Sequence, residues 1–148
     1  MKKQSRTKVG ETRKGQGMKS FSMLSVATVV VFAALNGSAL AGDAAAGEKV
    51  FAKCKSCHQV GETAKSAIGP ELNGLDGRKA GSVEGYHYSD AMKDSGITWG
   101  EASFEEFIKN PKAKVPGTKM VFQGLSSDQD AANVWAYLSS FGADGKKK

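Results

Sequence analysis

Residues able to ligate a metal are scarce in this chain. It has two cysteines, Cys54 and Cys57, and two histidines, His58 and His87, among 148 residues. A structural zinc site needs four ligands, so the Cys54, Cys57 and His58 cluster would have to be completed by a distant residue, His87 or a carboxylate. Long hydrophobic runs are lacking too. The most apolar segment, Met23 to Leu35, is interrupted by Ser25 and Thr28 and is too short to span a bilayer comfortably. No stretch sustains the apolar–polar alternation of a half-buried strand, which argues against a sheet. No internal repeat or low-complexity tract is present, and no Arg-Arg pair that would mark a twin-arginine export signal.

Basic residues precede the apolar run, and Ala39-Leu40-Ala41 follows it as a small-x-small cleavage signal. That order reads as a secretory signal peptide over residues 1–41, cleaved to leave a mature start near Gly42 in the bacterial periplasm. The segment before Lys19 is long for the basic part of a signal, so Met18 competes with Met1 as the true start. A membrane-tethered form with an uncleaved signal is the alternative. The chain's basic excess belongs to this segment. Seven of the 21 Lys and Arg and one of the 15 Asp and Glu precede Gly42, which leaves fourteen of each sign. With no net charge, residues 42–148 give no reason to expect nucleic acid as a partner.

Residues 42–148 are enough for one small domain with a modest core. Four helices are expected. The first runs from about Ala44 to Cys54, capped by Asp43; Gly47 inside it costs about 1 kcal/mol against alanine, which suits a close helix crossing. A short second helix spans Ser89 to Ser95, stopped by Gly96. The third carries Phe104, Phe107 and Ile108 on one face and stops before Pro111. The fourth starts at a Ser127 cap, runs Ala131, Val134, Trp135, Leu138 and Phe141 along one stripe, and ends at Gly142. The tail Asp144-Gly145-Lys146-Lys147-Lys148 is expected to fray. Between Gly61 and Tyr88 lies a loop holding six glycines. A loop of that length fits a compact domain only if it packs around something other than itself.

Cys54-Lys55-Ser56-Cys57-His58 supplies the something. Cys-x-x-Cys-His is the attachment pattern of a c-type haem. Each thiol adds across one vinyl group, and the histidine after the second thiol reaches the iron from one face. A thioredoxin-like redox pair would need a βαβ context, and the flanks here read as helical. A second iron ligand must come from elsewhere. Met120, at the end of Pro116-Gly117-Thr118-Lys119-Met120, follows a turn-forming pair on a loop. By position alone it is either that ligand or a core filler, as methionine often is. Histidine plus methionine would fill both axial sites, raise the potential and favour electron transfer over oxygen chemistry.

With these residues in place the chain from Gly42 to Gly142 resembles a class I cytochrome c, of the short bacterial mono-haem type close to the mitochondrial protein. The resemblance rests on Gly47 to Phe51, Cys54 to His58, Gly69-Pro70-Glu71-Leu72, Gly77-Arg78-Lys79, Tyr86 to Ala91, Gly96-Ile97-Thr98-Trp99, Asn110-Pro111-Lys112, Pro116 to Met120 and Trp135-Ala136-Tyr137-Leu138. It implies an all-α fold in which the first and last helices cross at Gly47, Phe51 and Tyr137, with loops wrapped round one covalent haem c. It implies that Met120 is the sixth ligand, that the Pro70 carbonyl accepts a hydrogen bond from the His58 ring, and that Arg78, Tyr88 and Trp99 hydrogen-bond the haem propionates. Two positions depart from the mitochondrial pattern. Phe107 replaces a tyrosine that faces the methionine sulfur, and Met92 replaces an asparagine of a buried polar network. A drier, more apolar pocket on the Met120 side is expected.

The same resemblance implies a monomeric one-electron carrier between membrane complexes: a cytochrome bc-type reductase on one side, a terminal oxidase or photosynthetic reaction centre on the other. Lys53, Lys55, Lys65, Lys112, Lys114 and Lys119 flank the haem motif or the methionine loop and would ring the exposed haem edge. Glu101, Glu105, Glu106, Asp128 and Asp130 fall on other helices. The competing reading is a haem enzyme or ligand-binding protein with an open iron site, which ligation by Met120 would close. His87 has no role toward the haem and is expected on an exposed loop.

Overall fold

The computed structural model describes residues 41–148. The signal segment read at residues 1–41 therefore lies, except for Ala41, outside the described residues. Five helices follow in order: α1 (Ala44–Phe51), α2 (Asp90–Lys93), α3 (Glu101–Lys109), α4 (Pro111–Lys114) and α5 (Asp128–Ser139). No strand forms among the described residues. Two isolated bridges, Lys79 with Thr98 and Phe141 with Lys147, are the only extended pairings there. No helix of the described residues is long and apolar enough to cross a membrane.

Four of the five helices start where a side chain can satisfy their free N–H groups; α3 starts at Gly100, which has no side chain to cap it, and there Ser103 Oγ accepts from the Gly100 amide instead. Asp43 accepts from the amides of Ala45 and Ala46 at 2.7 and 3.1 Å. Ser89 accepts from Met92, Asn110 from Ala113 and Ser127 from Asp130. α1 is shorter than expected. It closes at Phe51, and the chain continues through tight turns in which the amides of Cys57 and His58 both bond the Cys54 carbonyl. α4 is a single turn that periodicity does not reveal. Pro111 ends α3 and then opens α4, because a proline at the first helical position needs no N–H partner.

The frame is the crossing of α1 and α5. A Cβ at Gly47 would fall on the Asn133 carbonyl of α5, with the Asn133 carbonyl carbon at 2.6 Å and Tyr137 Cβ at 2.8 Å. Only glycine lets the two backbones approach this closely. Asn133 is buried at the crossing, and its Oδ1 accepts from the Asp43 amide at 2.8 Å and from Gln129 at 3.0 Å. The Phe51 and Tyr137 rings meet at 5.4 Å. The stripe expected on α5 is the buried face: Ala131, Val134, Trp135 and Leu138 join Phe51, Leu75, Phe104 and Phe141 in one core. A second, smaller core of Met92, Phe107 and Val115 lies beside it, and Trp99 and Met120 pack against both.

The C-terminal tail, expected to fray, is folded back onto the domain. The amide of Gly142 bonds the Lys146 carbonyl and that of Lys148 bonds the Ser140 carbonyl, each at 2.8 Å. Gly145 is buried against the backbone of Gly61 and Glu62. The Lys147 ammonium lies 5.6 Å from the ring centroids of both Tyr137 and Phe141, a cation–π distance. Composition suggested a solvated charged tail. Its backbone bonds and Gly145 hold it down instead.

Candidate haem site

Between the α1–α5 frame and the long loop lies an apolar cavity of about 260 Å³. Leu72, Leu75, Phe104, Phe107, Ile108 and Leu138 supply apolar wall, and Cys54, Cys57, His58 and Met120 all face it. Interiors are close-packed, so a space this large at the centre of so small a domain calls for a ligand.

His58 is held in one orientation. Its Nδ1 lies 2.8 Å from the Pro70 carbonyl oxygen. A carbonyl only accepts, so Nδ1 carries the proton and Nε2 is left as a bare donor of electrons. Burial lowers the ring's pKa, and the Pro70 bond opposes that in part. The neutral ring is the form that ligates a metal. Gly69 backs the ring so closely that any Cβ there would overlap the imidazole. The amide of Gly69 bonds the Cys57 carbonyl at 2.9 Å, which ties this loop to the motif. Both cysteines are half-buried free thiols. Burial raises the Cys54 pKa, with Lys53 acting against it.

Met120 is placed by a turn. The Thr118 amide bonds the Val115 carbonyl at 3.0 Å across Pro116 and Gly117, and Gly117 has φ +94°. Proline then glycine with positive φ is the requirement of a type II turn. The Lys119 ammonium reaches the carbonyls of His87 and Tyr88 at 3.3 and 3.4 Å, which pins the loop to the segment opposite. Phe107 and Met92 are both buried and line the cavity along with Met120. The apolar character expected on that side is present.

Arg78, Tyr88 and Trp99 also line the cavity. Trp99 packs edge-on to Phe107 at 5.2 Å. Burial raises the Tyr88 pKa, and Arg78 works against it. The Arg78 guanidinium is already engaged: Nη1 donates to Glu71 Oε1 at 2.9 Å and to the Asn73 carbonyl at 2.8 Å, and Nη2 donates to the Glu71 carbonyl at 2.9 Å. Sequence reasoning missed Glu71 as a member of this site. Its charge, seven residues before Arg78 in the same glycine-rich loop, was the available signal. Tyr86 was missed as well; it stacks edge-on to Tyr88 at 4.7 Å and its hydroxyl donates to the Ile68 carbonyl at 2.7 Å. His87 is exposed and stands outside the cavity lining.

The residues present fit a haem. One histidine nitrogen and one thioether face a largely apolar space, two thiols stand at its wall, and polar groups are gathered at Arg78, Tyr88 and Trp99. A metal site of another kind finds no support: among the described residues no three of His, Cys, Asp and Glu come together to hold an ion.

Comparison with known proteins agrees with this geometry. The family model for cytochrome c matches residues 44–142. Over 101 residues the chain is 76% identical to cytochrome c-554 of Methylosinus trichosporium, covering 68% of this chain and 76% of that protein. It is 58% identical over 98 residues to a cytochrome c2 of Rhodoplanes tepidamans, covering 66% of this chain and 92% of that one. Among solved structures, cytochrome cH from Methylobacterium extorquens superposes with a TM-score of 0.62 at 51% identity, covering 66% of this chain and 97% of that one.

Proposed function

The chain belongs to the cytochrome c family, an electron carrier with one covalent haem c, and from that membership we propose which residues hold the haem and where the carrier works. Cys54 and Cys57 form the two thioethers. His58 Nε2 and the Met120 sulfur take the two axial positions. Pro70 orients the His58 ring, and Arg78, Tyr88 and Trp99 receive the propionates. The observation that carries this reading is the pairing of a histidine, with Nδ1 committed to Pro70, and a turn-placed methionine on one apolar cavity.

Bound haem c supplies a one-electron iron couple. The chain's residues exclude water from it and fill both axial sites, so no open position is left for a substrate, and the protein is not an enzyme. Residues 1–41 direct export and are cleaved, which puts the carrier in the periplasm. It exchanges electrons as a monomer with a cytochrome bc-type reductase and with a terminal oxidase or photosynthetic reaction centre. Lys119 stands at the cavity rim with Ile68 and Val121, which are 74% and 86% exposed. Lys53 lines the cavity too, but its ammonium pairs with Asp130 at 3.6 Å, and Lys114 pairs with Glu106, so these two lysines are offset by acidic residues expected elsewhere. Lys55 and Lys65 are exposed nearby in sequence. An apolar contact framed by positive charge suits fast, transient docking on acidic surfaces.

The test is the second-order rate of electron exchange with membranes bearing such a reductase, measured against ionic strength. The rate should fall as the Debye length shortens to about 10 Å at 0.1 M salt. Lys55→Glu and Lys119→Glu should slow it at low salt, and Lys147→Glu, folded onto Tyr137 and Phe141, should not. A rate independent of salt, with all three variants alike, would remove the docking face. Rapid carbon monoxide binding by the reduced wild-type protein would instead indicate an open iron site.

A further inference from the structure

We propose that Glu71 is a positioning residue that neutralises Arg78 at the cavity wall and thereby holds the protein's reduction potential down. The proposal rests on the reading that Arg78 faces the haem's acid groups. Every polar group of Glu71 is occupied. Its amide donates to Ser66 Oγ at 3.2 Å, its carbonyl and Oε1 accept from Arg78 at 2.9 Å each, and Oε2 accepts from the Asn73 amide at 2.6 Å. Asn73 in turn exchanges two hydrogen bonds with the backbone of Gly61. The carboxylate is therefore locked in place beside the guanidinium.

Arginine has five N–H donors. Glu71 and the Asn73 carbonyl take both on Nη1 and one on Nη2. One Nη2 hydrogen and the Nε hydrogen remain, and Arg78 lines the cavity. The guanidinium thus offers the cavity donors without offering it a full positive charge. The pair is largely shielded, with side chains 17% and 21% exposed, so water screens its field less than it would a surface pair. Glu71 also follows Pro70 directly. The same short segment that orients His58 therefore anchors Arg78.

The charge consequence has a definite sign. The oxidised centre carries one more positive charge than the reduced one. A nearby carboxylate favours the oxidised form and a nearby guanidinium the reduced form. Removing the charge of Glu71 alone unmasks Arg78 and raises the potential.

The experiment titrates the haem-loaded protein against the hexacyanoferrate(II/III) couple, one electron passing from the reference to the oxidised protein. Glu71→Gln should move the equilibrium about threefold to tenfold toward the reduced form, a rise of about 28–59 mV at 59 mV per tenfold. Glu71→Asp, which keeps the charge but shortens the reach, should stay near wild type. Arg78→Gln should move the equilibrium the opposite way. A structural role alone would make Asp perturb at least as much as Gln. If Gln does not accumulate as folded protein, Asn against Asp repeats the comparison at the shorter length. A potential unchanged in the neutral variant, or shifted equally by Asp, overturns the proposal when Arg78→Gln still lowers the potential. An unchanged potential in Arg78→Gln overturns the placement of Arg78 itself.

Discussion

Gly47→Ala sets two effects against each other. In an isolated helix the change is favourable, since alanine is preferred to glycine by about 1 kcal/mol. At the crossing it is not. The added methyl would sit 2.6 Å from the Asn133 carbonyl carbon and 2.8 Å from Tyr137 Cβ, and it would overlap the Asn133 carbonyl oxygen. None of these is the end of a flexible side chain, so the helices themselves must separate. Overpacking of this kind costs about 1–3 kcal/mol or more. Separation also stretches the 2.8 Å bond from the Asp43 amide to Asn133, worth about 1 kcal/mol, and opens the Phe51–Tyr137 contact at 5.4 Å. The steric term wins, leaving a net loss of about 1–3 kcal/mol. Thermal unfolding of the haem-loaded protein, followed by circular dichroism, should show Tm lowered by about 4–8 °C for each kcal/mol. A Tm equal to or above wild type would refute the closed crossing, because helix propensity would then be the only effect felt.

Met120→Ala should abolish the weak near-red absorption band of the oxidised protein and admit cyanide or carbon monoxide faster; an unaltered spectrum and binding rate would return methionine to the role of core filler. Acidic acetone should leave haem on the wild-type polypeptide, and Cys57→Ala should retain at most one thioether, read by mass spectrometry; free haem in the organic layer from the wild type would refute covalent attachment. A variant lacking both cysteines and carrying no haem should show weak helical circular dichroism, because the native state loses the ligand that stabilises it; a cooperative, helix-rich melt would contradict that. Truncation after Gly142 removes the bonds from Gly142 to Lys146 and from Lys148 to Ser140, and the Lys147 ammonium over two rings; guanidinium unfolding should show a loss of about 1–2 kcal/mol, whereas an unchanged midpoint would mean the tail contributes nothing.

The amino-acid sequence by itself determined the features that are local in the chain. Cys54 to His58 states the attachment chemistry within five residues. Ser127 and the apolar stripe through Leu138 define α5, because capping and helical period are properties of neighbours a few residues apart. The helix closes at Ser139, short of the expected Gly142, and Phe141 lies beyond it in the bridge to Lys147. Gly47 signalled a close approach by being a poor helix residue in an otherwise good helix. What only the tertiary structure decided depends on residues far apart. Composition alone makes Asp144 to Lys148 a solvated tail; contact with Gly61 and Tyr137 makes it a folded strap. α4 has no periodic signal, and exists because Asn110 and Pro111 satisfy one turn between α3 and the methionine loop. Arg78 reads as a group for the haem acids, yet three of its five donors go to Glu71 and Asn73. That sharing follows from a loop wrapped tightly around the cavity, where each hydrogen bond is set by how the whole segment closes and not by any spacing along the chain.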